Sequence, residues 1–298
     1  MTTSEPHGLL LVHKDVGPSS FQVIGQLRKI LGTRTIGHAG TLDPLAEGLL
    51  VVLVGQYTRL SNYLTAHDKR YVASVNFTGQ TNTDDAEGET IASADWKGLT
   101  ESAIRSGVSE FLGEQQQIPP MFSAIKVKGE RLYKKARRGE DIELQGRSVH
   151  FFSLHMRAYH EPVALIDVHC SKGTYIRALA RDLGAHLSVP AHLSGLVRTH
   201  SGEYDLQNAH RISELKMMDN PREALLRDVE HIRGISKFDV HRDDARSLGH
   251  GRSIRAPKDC HGEETYLACC EGIPIALVRH EEGFMRCMRG FNLFNSEP

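Results

Sequence analysis

Short apolar runs and amphipathic stretches alternate along the chain, and their order predicts a mixed α/β fold. GLLLVHK (residues 8–14) reads as a short buried strand. Ser19 and Ser20 stand where they can cap a helix in which Phe21, Ile24, Leu27 and Leu31 recur at helical spacing. LLVVLVG (49–55) is a continuous apolar run rich in β-branched residues and closed by glycine, the pattern of a strand buried on both faces. YTRLSNYLTAH (57–67) has helical character, and in KRYVASVNFTG (69–79) Tyr71, Ala73, Val75 and Phe77 alternate as in a half-buried strand.

Farther along, residues 100–112 predict a helix, and MFSAIKVKG followed by RLYKKARRGE predicts a strand and then a helical segment. Residues 147–160 and 163–173 read as paired strands. TYIRALARDLGAHL (174–187) is the clearest helix, with Ile176, Leu179, Ala180, Leu183 and Leu187 in one stripe. HLSGLVRTHSGEY (192–204) predicts one or two strands, and short helices are expected over 208–232 around Pro221. TNTDDAEGET (81–90), polar and acidic, predicts a surface loop. From about Ile235 the composition shifts to short strand-like pieces separated by glycines. Two domains are therefore expected, 1–232 and a small β-rich domain over 235–298. The first should be a mixed, largely antiparallel sheet flanked by helices, with a cleft across its middle.

Composition narrows the class only a little. The 298 residues include 36 Lys+Arg against 37 Asp+Glu, a formal net charge of −1, so any basic surface must come from clustering. One such cluster exists. Lys126, Lys128, Arg131, Lys134, Lys135, Arg137 and Arg138 fall within thirteen residues that hold a single acidic residue, Glu130. The segment suits a phosphate backbone, and it equally suits a solvated helical face. The five cysteines have no disulfide-framework spacing and read as reduced, buried thiols. MTTSEPHG does not resemble a signal peptide, and the longest apolar run is too short to span a bilayer. A cytoplasmic protein with no membrane association is expected.

Familiar cofactor and catalytic motifs are absent: GxxxxGK[ST], GxGxxG after a strand, HExxH, paired CxxC and GxSxG do not occur. Two other stretches carry candidate chemistry. GHAGTLDP (37–44) places glycines that permit positive φ and a carboxylate, Asp43, directly before the buried strand. A carboxylate on such a rigid base suits a ligand site; an ordinary Asp–Pro turn reads the same way. SKGTYIR (171–177) ends a strand in a glycine turn and opens a helix with Arg177 in its first turn. The helix dipole disfavours a cation there, which points to an acidic partner, and Asp43 is a candidate. Asp182 or solvent would serve as well.

Taken in order, the motifs resemble the TruB family of tRNA pseudouridine synthases. The resemblance rests on HKDVGPSS (13–20), GHAGTLDPLAEG (37–48), DKRY with TGQTNTDDAEG (68–71 and 78–88), IPPMFSAIKVKGERLYKKARRG (118–139) and CSKGTYIRALARDLG (170–184). It runs over about residues 8–204. It implies the pseudouridine synthase fold with a C-terminal PUA-like RNA-binding domain, and isomerisation of uridine 55 in the T-loop of tRNA without cofactor, metal or obligate protein partner. Asp43 would then be the catalytic nucleophile. Tyr71 would stack on the flipped base, Arg177 would pair with Asp43, and Tyr175 and Leu196 would line the uracil pocket. His38 would sit beside the displaced nucleotide, and Lys14 would support the site. The chain departs from the family pattern at Asp15, where proline is usual after the lysine, and at Ala39 and Glu47, where threonine is common. An RNA-binding module without catalysis would not need the full Asp43, Tyr71 and Arg177 set.

Overall fold

The computed structural model describes residues 5–123, 126–127, 130–132, 138, 144–260, 264–291 and 293. The first apolar run forms β1 (Gly8–Lys14), and helix α1 (Ser20–Leu31) follows. Ser19 caps α1 in a capping box with Gln22, and Gly32 closes the helix in the left-handed conformation. Val23, Ile24, Leu27 and Leu31 face the core. Phe21, expected on that stripe, is 74% exposed instead. The buried stripe runs through Ser20, and Phe21 falls one position outside it.

Strand β2 (Ile36–His38) pairs with the buried run, β3 (Ala46–Val54), whose residues are buried except Glu47. The expected helix at 57–67 is a 3₁₀ turn, Gly55–Leu60, and then one short helix, α2 (Ser61–Thr65). β4 (Lys69–Asn76) follows, then the ribbon β5 (Gln80–Thr81) with β6 (Thr90–Ala92), and α3 (Glu101–Ser109), capped by Thr100. β7 (Gly113–Gln117) leads to a two-residue hairpin, β8 (Lys126–Val127) and β9 (Glu130–Arg131), where a longer strand was expected. The helical segment expected after it lies largely outside the described residues. β10 (Arg147–His160) and β11 (Val163–Cys170) are paired, as their alternation predicts. The amphipathic stripe at 176–187 is α4 (Ile176–His186). β12 (His192–Ser201), β13 (Tyr204–Asp205), β14 (His210–Arg211) and α5 (Ile212–Met217) follow.

These strands build one ten-stranded sheet in the order β14-β1-β3-β12-β4-β11-β10-β7, with β13 beside β12 and β2 beside β3. Pairing is antiparallel except β1 with β14 and β3 with β12. The helices cover one face in two groups. On one half of the sheet α1 and α5 pack on Leu10, Val12, Leu50 and Val52. On the other, α3 and α4 pack on Ala73, Val75, Ile166 and Val168. Between the two groups, over β12 and the start of β4, that face of the sheet is open.

A second sheet begins at β15 (Ser236–Asp239) and continues, after α6 (Arg242–Gly249), through β16 (Ile254–Arg255), β17 (Thr265–Cys270), β18 (Ile273–Glu281) and β19 (Phe284–Gly290). Its order is β15-β17-β18-β19-β16. One side of this sheet packs on α6. The other places Leu267, Cys269, Leu277 and Phe291 against Leu9, Leu11, Leu53 and Tyr57, so the two sheets share a core. Cys170, Cys260, Cys269 and Cys270 are buried free thiols and Cys287 is half-buried. Among the described residues no helix is long and apolar enough to cross a membrane.

Candidate active site

The GHAGTLDP loop is fastened from three sides. From α1, Ser20 bonds twice to Leu42: the Leu42 N–H donates to Ser20 Oγ at 2.9 Å, and that hydroxyl donates to the Leu42 carbonyl at 2.9 Å. From the end of β1, the wholly buried Lys14 donates through Nζ to the carbonyls of Ala46 (2.6 Å), Asp15 (3.0 Å) and Pro44 (3.4 Å). From β12, Arg198 donates to Gly40 O (3.0 Å), Thr41 O (3.3 Å) and Leu49 O (2.7 Å). Gly40 sits at φ 110°, a conformation that favours glycine. The Asp43 carbonyl accepts from Ala46 N–H at 3.1 Å, and its side chain lines the cavity over the open middle of the sheet.

There it meets Arg177. The guanidinium is 6% exposed, and Nη2 lies 3.0 Å from Asp43 Oδ2. Nη2 also donates to Phe122 O (2.9 Å) and Nη1 to Thr83 O (3.0 Å), while Asp85 Oδ2 is 3.5 Å from Nη1. The cation in the first turn of α4 therefore has two carboxylates and two carbonyls as partners, which offsets the dipole penalty. Gln117 of β7 fixes the start of that helix, accepting from Tyr175 N–H at 2.8 Å and donating to Tyr175 O at 3.0 Å.

The acidic loop is where the structure departs most from expectation. Asp84 and Asp85 are 6% and 4% exposed, so the middle of the loop is buried rather than on the surface. Asp84 pairs with Arg181 at 3.0 Å, and Asp85 Oδ1 accepts from Thr83 Oγ1 at 2.6 Å and from Glu87 N–H at 3.1 Å. Acidic composition signals exposure only while no cation is at hand, and α4 supplies two.

A cavity of about 610 Å³ results, lined among others by Asp43, Tyr71, Tyr175, Arg177, Leu196 and Arg198. A smaller one of about 340 Å³ opens behind the Asp43–Arg177 pair, against Thr83, Asp85, Glu87 and Phe122. Burial pushes the Tyr71 phenol up to about 12, and the Arg198 guanidinium lies beside it. Burial and then Arg198 pull the Lys69 ammonium down to about 8. Burial lowers Lys14, against the pull of Asp43 and Glu87. Burial and then the charges of Asp85 and Asp43 raise Glu87.

The structure thus brings Asp43, Tyr71, Tyr175, Arg177 and Leu196 around one space. His38 is not among the residues lining it. It lies half-buried in β2 opposite Val52, and burial and Arg198 lower its basicity. Of the basic cluster, Lys126 and Arg131 are paired in the β8–β9 hairpin, and Arg138 is exposed. Lys128, Lys134, Lys135 and Arg137 lie outside the described residues. Arg198, Lys69, Gln117 and the two buried aspartates were not singled out from sequence. Arg198 follows the short apolar pair Leu196–Val197 in HLSGLVRTHS, and nothing in that mixed segment marks it as buried. No group of three or more His, Cys, Asp or Glu is arranged to hold a metal among the described residues.

Residues 28–176 match the family model for the TruB family pseudouridylate synthase N-terminal domain, and the chain belongs to that family of pseudouridylate synthases. It is 41% identical to a tRNA pseudouridine synthase B of Mycolicibacterium paratuberculosis, over 93% of this chain and 94% of the relative. It is 37% identical to one from an Arthrobacter strain, over 98% of each. In fold it resembles an archaeal box H/ACA sRNP Nop10-Cbf5 complex (TM-score 0.73, 20% identity, 98% of this chain and 88% of that one). It likewise resembles an H/ACA RNP bound to a substrate RNA containing 2'-deoxyuridine (TM-score 0.73, 19% identity, 100% and 93%).

Proposed function

We propose that this chain converts uridine 55, in the T-loop of tRNA, to pseudouridine, with Asp43 as nucleophile and the target base flipped into the 610 Å³ cavity. The observation that carries this reading is the Asp43–Arg177 pair, 3.0 Å apart and in the same cavity as Tyr71. The names of the bacterial relatives support tRNA as substrate.

The isomerisation breaks the N1–C1′ bond, turns the base and joins C5 to C1′. C5 loses a proton and N1 gains one, so the product has the atoms of the substrate. No electron acceptor and no hydrolytic water enter, and none of these steps requires a cofactor or metal. A carboxylate in its ionised form can attack carbon, whether on base or sugar, or hold developing positive charge. Arg177 keeps that carboxylate aimed and charge-balanced inside the protein. Unstacking the target base costs a few kcal/mol, and stacking on Tyr71 at about 1–3 kcal/mol offsets much of it. Tyr175 and Leu196 bound the base. His38, set outside the cavity lining, suits the neighbouring nucleotide better than the target.

The basic segment 126–138 is proposed to grip the RNA backbone, and residues 235–298 to form a PUA-like RNA-binding domain after a catalytic domain over 1–232. The chain is further proposed to act in the cytoplasm and without an obligate protein partner. The deciding experiment incubates wild type and Asp43→Asn with an unmodified tRNA transcript and maps pseudouridine. Product at position 55 from wild type alone is the expected result. Tight binding without product from either protein would leave an RNA-binding module in its place.

A further inference from the structure

The face of the ten-stranded sheet opposite the helices is covered over β1 and β3 by the second sheet. Over β11 and β10 it carries a row of rings. His150, Phe152 and His169 form a continuous cluster of tilted rings, with centroids 4.8 Å apart and planes at 43° between His150 and Phe152, and 4.9 Å and 45° between Phe152 and His169. Phe152 is 50% exposed in the middle of it. The cause is a break in strand register: pairing of β10 with β11 shifts between Phe151 and Ser153, so Phe152 is the extra residue of a bulge. In unbroken alternation Phe151 would point inward, as it does, and its neighbour would meet a partner across the ladder. The bulge frees that neighbour to lie on the imidazoles. The ring stands half exposed between two imidazoles and adds nothing to the core.

Its surroundings point to a use. His169 is held by the carboxylate of Asp68, which fixes the ring plane. Arg70 lies directly across the ladder from His169, exposed, and makes no ion pair among the described residues. Lys172 is exposed one turn beyond the end of β11. The cluster also adjoins the cavity: Ser171, which lines it, accepts the His150 N–H at 2.9 Å through Oγ and donates its own N–H to His150 O at 2.8 Å. Aromatic faces beside exposed cations, on the opposite sheet face from the cavity but at the same ends of β4 and β11, match a nucleic-acid strand, whose bases stack and whose phosphates pair with arginine and lysine.

We propose that the His150–Phe152–His169 cluster is a second nucleobase platform, which receives an unpaired base of the bound RNA where the strand passes from the cavity round the ends of β4 and β11 to the opposite face of the sheet, with Arg70 and Lys172 on the adjoining phosphates. The inference rests on the proposed RNA substrate and deepens it.

The test uses the chain's single tryptophan, Trp96. Trp96→Phe removes it, and Phe152→Trp in that background places a reporter in the cluster. Titration with an unmodified T-stem-loop RNA should quench the new emission as the complex forms. In the parent chain, Phe152→Ala should weaken binding of the same RNA about fivefold or more, while Phe152→Trp restores it. Emission unchanged at saturating RNA, or equal affinity of the Phe152→Ala and parent proteins, overturns the platform and leaves the proposed function standing. Failure of the parent protein to bind or convert the RNA at all removes both.

Discussion

Arg198 lies beneath the loop that carries Asp43, with its Nη2 3.0 Å from the carbonyl of Gly40, and it is 1% exposed. The same guanidinium reaches Thr41 and, through Nε, Leu49, so one side chain ties the loop to the strand that follows it. It also stands opposite Tyr71 across the β12–β4 ladder, which joins the support of the loop to the residue proposed to stack on the target base. A lysine keeps the charge and cannot span the three carbonyls. Arg198→Lys should therefore lose about 2–4 kcal/mol of stability in denaturant unfolding, since buried carbonyls are left without donors. Pseudouridine formation should fall at least about tenfold even where the fold is intact, because the loop that carries Asp43 loosens. Wild-type stability and rate in that variant would show that the fork contributes nothing.

Arg177 separates two effects of charge. It holds Asp43 at 3.0 Å and Asp85 at 3.5 Å, on different arms of the guanidinium. Arg177→Lys keeps a cation for one of these carboxylates at a time and should fold. We expect its single-turnover rate to drop by about 100-fold with a much smaller change in RNA affinity. Arg177→Met leaves Asp85, 5% exposed in its side chain, with no cation, and should be destabilised by about 3–5 kcal/mol at neutral pH. Equal stability of the two variants would mean that the buried carboxylate finds compensation elsewhere.

The strands and the clearest helix were legible in the sequence because burial leaves periodic marks. LLVVLVG and the stripe from Ile176 to Leu183 lie where the pattern places them. The dipole argument at Arg177 foretold an acidic partner, and the structure supplies two. What the pattern hid is polar burial. Lys14, Asp84, Asp85 and Arg198 are all under 10% exposed, and a local window reads each as a surface residue. Their partners lie between 30 and 158 residues away for Lys14 with Pro44 and Arg198 with Gly40, and no local window reaches that far. Phe21 failed in the opposite sense: a large apolar residue at nearly the right spacing was read as core.

Gly48 shows what that long-range closure demands of the backbone. It lies in β3 at φ 107°, in parallel register with Arg198 of β12. A Cβ there would stand 2.7 Å from the Arg198 amide nitrogen and 3.0 Å from its carbonyl carbon, and backbone on a central strand cannot give way as a side-chain tip can. Gly48→Ala should cost about 3 kcal/mol or more in unfolding free energy, from the clash and the left-handed φ together. Gly98→Ala is the control: no atom lies within 4 Å of its Cβ position and φ is ordinary, so stability should be unchanged within about 0.5 kcal/mol. A Gly48→Ala protein as stable as the control would show that β3 and β12 separate without penalty.

Three of the eight tyrosines do most to make the fold sensitive to alkali. Burial raises the phenols of Tyr57, Tyr71 and Tyr204 furthest, the last two to about 12, and it raises Tyr159 and Tyr175 as well. In the unfolded chain each ionises near 10. Below that value both states bind the phenolic proton and the difference contributes nothing. As pH rises from about 10 towards 12, the unfolded chain releases protons that the folded one keeps, so stability present below pH 10 is progressively lost. Tyrosinate absorbance should therefore rise in two steps in the native protein, the later one coinciding with loss of structure, and in one step near 10 in concentrated guanidinium. Tyr204→Phe should weaken the alkaline loss, because one of these protons is removed, although the hydroxyl's bond to His231 O is lost at every pH. A single native step near pH 10, with structure retained, would mean that these phenols reach water in the folded protein.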